Sequence, residues 1–229
     1  MPIFSKPDAA SSFPVDSTTP FRLIKAFYVN EGTEFSLTFT MTDVTTALEP
    51  LLSPFILVET PPSLLEAAKS AAASAATPTL QFKRPNRLSR TWTALDPVSG
   101  HVVAESSNPL WSLGKWTIKF PPLNPASISP HSEHDIILHP AGVAARADEF
   151  VKDSVPCFWD MLDGRRLCKL YRASDGKKVE TARFVGASVR GREGVLLIGE
   201  DDQGERRADE VVVMVTLVAV LNRSDSFRA

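Results

Sequence analysis

Val211-Val212-Val213-Met214-Val215-Thr216-Leu217-Val218-Ala219-Val220-Leu221 is the longest nonpolar run in the chain, broken only by the hydroxyl of Thr216. Its β-branched residues favour a strand. Its length and flanks favour a helix, because it outlasts the roughly five or six residues of an ordinary strand. Asp209 and Glu210 stand where an N-cap and a first-turn acid belong, and Asn222-Arg223 supply a stop and a cation for the helix dipole. Such a helix is about 16 Å long, against roughly 30 Å of bilayer hydrocarbon. Apolar around its whole circumference and too short to span, it has to be enclosed by protein.

The rest of the chain offers strands to enclose it. All 18 prolines lie at or before Pro156, whereas seven of the 11 glycines fall between Gly164 and Gly204, so the two parts differ in their turn chemistry. From Cys157 onward, Asp163-Gly164 and Asp175-Gly176 are type I′ hairpin dipeptides and Gln203-Gly204 marks a further turn, which predicts a β-meander. Centring a hairpin on Asp163-Gly164 sets Leu162 against Arg165, Trp159 against Cys168 and Cys157 against Leu170, so the two thiols are not cross-strand partners. Upstream, Phe21–Val29, Glu34–Thr40, Phe55–Glu59, Leu88–Leu95, His101–Ser106 and Lys115–Phe120 carry strand composition. Pro50 and Pro54 bound the third of these, and the prolines of 121–130 make a loop. Pro61-Pro62-Ser63 followed by Leu64-Leu65-Glu66-Ala67-Ala68-Lys69 and alanines to Ala76 predicts a surface helix.

The expected fold is therefore mainly β: a closed antiparallel β-barrel enclosing a hydrophobic C-terminal α-helix, with one additional surface helix. The expected domain is 21–223 with a helical insertion at 61–76. It is preceded by a disordered or loosely attached segment, 1–20, and followed by a tail, 224–229. At 229 residues with 43% hydrophobic and 23% charged side chains, one folded domain with extensions fits. A formal net charge of −2 lacks the broad electropositive surface that nucleic acid requires. No secretory signal is readable at Met1–Asp8, and two cysteines are too few for a disulfide framework. The expectation is an intracellular, cytoplasmic protein with no transmembrane segment, any membrane contact being peripheral.

Three stretches carry a family resemblance: Arg90–Asp96 running to His101–Glu105, Asp163–Leu170 running to Val179–Phe184, and Asp209–Val213 through Asn222-Arg223. Their order resembles the tubby C-terminal-like fold, shared by tubby proteins, phospholipid scramblases and LURP-one-related proteins, and is most similar to a fungal family of unassigned function within that group. The resemblance covers about residues 88–223. It implies a barrel around a hydrophobic helix and a lipid-facing or regulatory role, tubby domains binding phosphoinositide headgroups through Lys and Arg. The tubby basic motif has no residue-by-residue match, and the scramblase cysteine-rich segment is missing. The 61–76 insertion and the 121–130 loop depart from the pattern.

His131, His134 and His139, interleaved with Glu133 and Asp135, are the one histidine cluster, and a metal-dependent or hydrolytic enzyme with its site on that loop is the alternative reading. The cluster lacks the helical register of a metal motif, and a polar loop accounts for it as well. No nucleophile elbow, phosphate loop or dinucleotide fingerprint occurs, so no cofactor is expected. Cys157 and Cys168 read as core thiols, and Trp92, Trp111, Trp116 and Trp159 as barrel packing. The densest cationic stretch, Lys83, Arg84, Arg87 and Arg90, is the candidate ligand-binding site, suited to anionic lipid headgroups. The expected function is a non-enzymatic binding or scaffolding module whose partner is an anionic lipid headgroup or another protein.

Overall fold

Twelve antiparallel strands follow one another round a closed barrel, and an apolar helix fills it. The computed structural model describes residues 13–30, 36–52, 63–109, 112, 114–122, 131–141, 147–188, 192–199 and 209–226. The strands are β1 (Leu23–Asn30), β2 (Thr38–Asp43), β3 (Leu80–Lys83), β4 (Thr91–Leu95), β5 (Val102–Ser107), β6 (Trp116–Lys119), β7 (Ile136–Pro140), β8 (Ala147–Lys152), β9 (Val155–Arg165), β10 (Leu167–Ser174), β11 (Lys177–Gly186) and β12 (Gly194–Gly199). Each pairs with its sequence neighbours, and β12 returns to pair with β1, so the meander has no free edge. The helices are α1 (Thr45–Leu52), α2 (Leu64–Ser74) and α3 (Glu210–Ser226).

The predicted buried helix is α3. Val212 to Leu221 are at most 2% exposed, and they share one apolar cluster with inward side chains from all twelve strands, among them Phe27, Phe39, Phe82, Ile118, Phe184 and Ile198. Asp209 is the N-cap: its Oδ1 accepts the N–H groups of Val211 and Val212 at 3.0 and 3.1 Å. The lone hydroxyl of the run is used inside the barrel. Thr216 Oγ1 accepts the indole N–H of Trp159 at 3.0 Å and donates to the Val212 carbonyl at 2.8 Å. Trp92 and Trp116 are also buried in this cluster, as is Cys168, with Cys157 packed at its margin; Trp111 lies outside the described residues.

A second apolar cluster lies outside the wall. α1 and α2 pack Leu48, Leu64 and Ala68 against Ala26 and Tyr28 of β1 and Val195 and Leu197 of β12. This explains why β12 is buried at all six positions, having apolar contacts on both faces. α1 was not expected, and Pro50, read as the boundary of a strand, lies inside it. Its start is organised by Asp43, whose Oδ1 accepts the Thr45 N–H at 2.9 Å and the Thr45 hydroxyl at 2.6 Å. The expected strand over Phe55–Glu59, most of the 121–130 loop and the Gln203-Gly204 turn fall outside the described residues.

The hairpin at Asp175-Gly176 forms as read, with φ of 48° and 74°. The one between β9 and β10 is displaced by two residues from its expected register. Cys168 pairs with Met161, Leu170 with Trp159 and Arg172 with Cys157, which centres the turn on Gly164-Arg165. The thiols are not partners in either register. On the outer wall, residues 13–16 run beside β11, where Asp16 donates its N–H to the Lys178 carbonyl and Lys178 donates to the Pro14 carbonyl, both at 2.8 Å. Phe13 lies 5.8 Å from Phe158, and the Lys178 amine, beneath this segment, sits 5.0 Å from the same ring.

Candidate functional site

The histidines do not converge. His131 Nδ1 lies 3.0 Å from Asp209 Oδ2, on the carboxylate that caps α3, and its ring stacks obliquely at 5.9 Å from Phe120. His139, on β7, faces Glu149 across the ladder to β8, with Nδ1 and Oε1 3.4 Å apart. His134 is exposed in the loop between β6 and β7. Among the described residues no group of three His, Cys, Asp or Glu side chains is placed to hold a metal ion. His131 thus serves the end of the buried helix, and His139 a strand pair.

Cys157 is half-buried on β9, its Sγ 3.8 Å from the Val155 carbonyl oxygen. Burial pushes its thiol up to about 12, against the weaker pull of Arg172, so thiolate is scarce at neutral pH. A half-open cavity of about 450 Å³ lies between α2 and the wall formed by β1 and β2, lined by Tyr28, Asn30, Thr42, Lys69 and Glu193. The Tyr28 hydroxyl donates to Glu193, and Lys69 lies 3.3 Å from the same carboxylate. Burial, and then the Glu193 hydrogen bond, raise the tyrosine pKa, so the phenol stays protonated and the trio ties α2 to the wall.

Lys83, Arg84, Arg87 and Arg90 lie together where β3 turns into β4. Lys83, Arg87 and Arg90 are exposed. The Arg84 guanidinium lies 5.1 Å over the Trp92 ring and donates to the Ser36 carbonyl at 3.3 Å, bracing the turn against the neighbouring strands.

The meander topology adds what the sequence stretch alone lacks. In an up-and-down barrel alternate connections share an end. The β3–β4 turn therefore shares its end with the connections β1–β2, β5–β6, β7–β8, β9–β10 and β11–β12. The described residues of these connections include the cations Arg84, Arg87, Arg90, Lys115, Arg166 and Arg192, and their one acid is Glu193, already engaged by Tyr28 and Lys69. The described turns of the opposite end have the reverse sign. Leaving aside α1, α2 and the lead-in to β1, which carries Arg22, the described turns there hold Asp96, Glu133, Asp135, Asp153, Asp175 and Asp209 and no Lys or Arg. Lysines at the strand margins of that end face acids: Lys119 lies 3.8 Å from Asp135 and Lys152 2.7 Å from Asp153.

α3 is aligned with this polarity. Its N-terminus, the positive end of its dipole, opens at the acidic end, and its carbonyl end points toward the cations. Among the described residues no helix is long and apolar enough to cross a membrane. No family model, curated protein or solved structure matches the chain.

Proposed function

We propose that the chain is a non-enzymatic binding module that docks the basic end of its barrel on anionic phospholipid headgroups, in the manner of a tubby-like domain. The observation that carries this reading is the separation of charge between the described connections at the two barrel ends, in a chain whose formal net charge is only −2. A nearly neutral protein gains little from non-specific attraction. One with its cations gathered on one end is turned by an anionic surface so that this end arrives first. The resemblance of the sequence to the tubby group, in which headgroups are bound by Lys and Arg, supports the same reading.

Sedimentation with vesicles tests it. Binding is expected to phosphatidylcholine vesicles containing phosphatidylserine or a phosphoinositide, and not to phosphatidylcholine alone. Raising the salt from about 0.1 M to about 1 M shortens the Debye length from about 10 Å to about 3 Å and should release the protein. Neutralising Lys83, Arg87 and Arg90 together should weaken binding by about 1 kcal/mol per charge. Arg84 is unsuited to this test, because losing it also removes packing on Trp92. An absence of binding to acidic vesicles at low salt would refute the lipid reading and favour a protein partner.

A further inference from the structure

Leu88 stands at the tip of the β3–β4 turn and is 92% exposed, more than any other described large hydrophobic residue. A lone exposed leucine is ordinary on a protein surface. Its placement here is not, because Arg87 and Arg90 flank it in the chain and the tip lies at the cationic end of the barrel. The turn that presents it is held by its own hydrogen bonds. Asn86 Oδ1 accepts the Leu88 N–H at 3.0 Å, the Asn86 carbonyl accepts the Ser89 N–H at 3.2 Å, and Ser89 Oγ accepts the Thr91 N–H at 3.2 Å. Arg84 on Trp92 braces its base. An apolar tip fixed in this way loses little conformational freedom on entering another phase.

We propose that Leu88 inserts into the interfacial region of an anionic bilayer while Lys83, Arg87 and Arg90 rest on the surrounding phosphates, so that the barrel stands on its basic end. The proposal rests on the headgroup-binding reading and adds depth to it: cations alone would hold the protein at the phosphate plane, whereas a buried leucine contributes a part that salt does not screen. Val98 provides a control within the same molecule. It is 79% exposed at the tip of the β4–β5 turn, at the acidic end, beside Asp96. Leu162, 50% exposed near the end of β9, lies on the far side of the basic end, six strands round the barrel from the β3–β4 turn, and reports how upright the barrel stands.

The test places a thiol-linked, environment-sensitive fluorophore at Leu88→Cys, Val98→Cys or Leu162→Cys and adds vesicles of phosphatidylcholine with phosphatidylserine at low salt. Labelling favours the introduced cysteine, since Cys168 is fully buried and burial raises the Cys157 pKa to about 12. The expected result is a blue shift and quenching by brominated lipid tails at position 88, and neither at 98. Unlabelled Leu88→Ala should melt as the native protein does and bind these vesicles about tenfold more weakly, equivalent to about 1.4 kcal/mol, with the salt dependence unchanged. A bound protein whose probe at 88 stays open to aqueous iodide, together with Leu88→Ala binding at native affinity, would overturn insertion and leave headgroup binding standing. No binding to these vesicles at all would overturn both.

Discussion

Replacing Thr216 by Val isolates the hydrogen bond that joins α3 to Trp159 of the barrel wall. The hydroxyl is fully used, accepting from Trp159 Nε1 at 3.0 Å and donating to the Val212 carbonyl at 2.8 Å, and both residues have 0% exposure. Valine keeps the branched shape of threonine, and the helix carbonyl keeps its backbone partner. What is lost is the Thr216 acceptor of the indole N–H, in a place where that donor has no solvent to turn to. An unsatisfied buried donor costs about 1–3 kcal/mol. In a domain of this size, about 2 kcal/mol corresponds to a fall in Tm of about 4–8 °C. Trp159→Phe destabilises the core by another route, by leaving a void. In that background there is no indole to orphan, so Thr216→Val should cost nothing further. Thermal and urea unfolding of the native protein, both single variants and the double variant give the coupling directly, expected at about 1–2 kcal/mol. Additivity within about 0.3 kcal/mol, or a Thr216→Val protein as stable as the native one, would show that this contact does not fasten the helix to the wall.

Gly194 begins β12, and a methyl group there would collide with the Val185 carbonyl oxygen and lie 2.6 Å from Phe184 Cζ, so Gly194→Ala should cost about 1–3 kcal/mol in urea unfolding. An unchanged midpoint would mean that the β11–β12 ladder yields more easily than its packing indicates. Although burial pulls the other way, hydrogen bonds from Lys25 and Thr45 hold the Asp43 carboxyl below its ordinary value of 3.8. Its folded pKa is therefore depressed, and its contribution is present above about pH 5 and lost as pH falls through the folded value. Asp43→Asn should lower Tm at pH 7, and the difference should shrink as pH falls below the ordinary carboxyl value and through the depressed folded one; a Tm difference that stays constant with pH would assign Asp43 no charge-dependent role.

α3 was legible because its apolar run, acidic start and insufficient span all pointed the same way. The β9–β10 register was not, for a reason that also lies in the pattern. Moving a strand by two residues keeps Trp159, Met161, Cys168 and Leu170 facing inward, so inside–outside alternation fits both registers and only the ladder distinguishes them. α1 was hidden because its start depends on Asp43, its burial on β1 and α2, and its sequence includes Pro50. The run Gly194–Gly199 shows no alternation because both its faces are covered. Of the four cations read from the sequence, Arg84 is committed to Trp92. Lys115 and Arg166 join the others only through the order of the strands, which no local window contains.

The place of α3 after every strand bears on how the chain acquires its structure. When β12 leaves the ribosome, β1 has been waiting through the synthesis of the ten strands between them for its partner, and the inward rings of Phe27, Phe39, Phe82 and Trp159 still lack the helix they pack against. A sheet that closes through its two most distant strands pays a large loop-closure entropy before any contact repays it, and such topologies fold slowly. The nascent wall is thus a set of hairpins with a sticky inner face, exposed to aggregation or to a chaperone until one late segment arrives. Closing the wall and covering its inner face thus depend on segments that follow the other strands in the chain: β12, which completes the ring, and α3, which fills it.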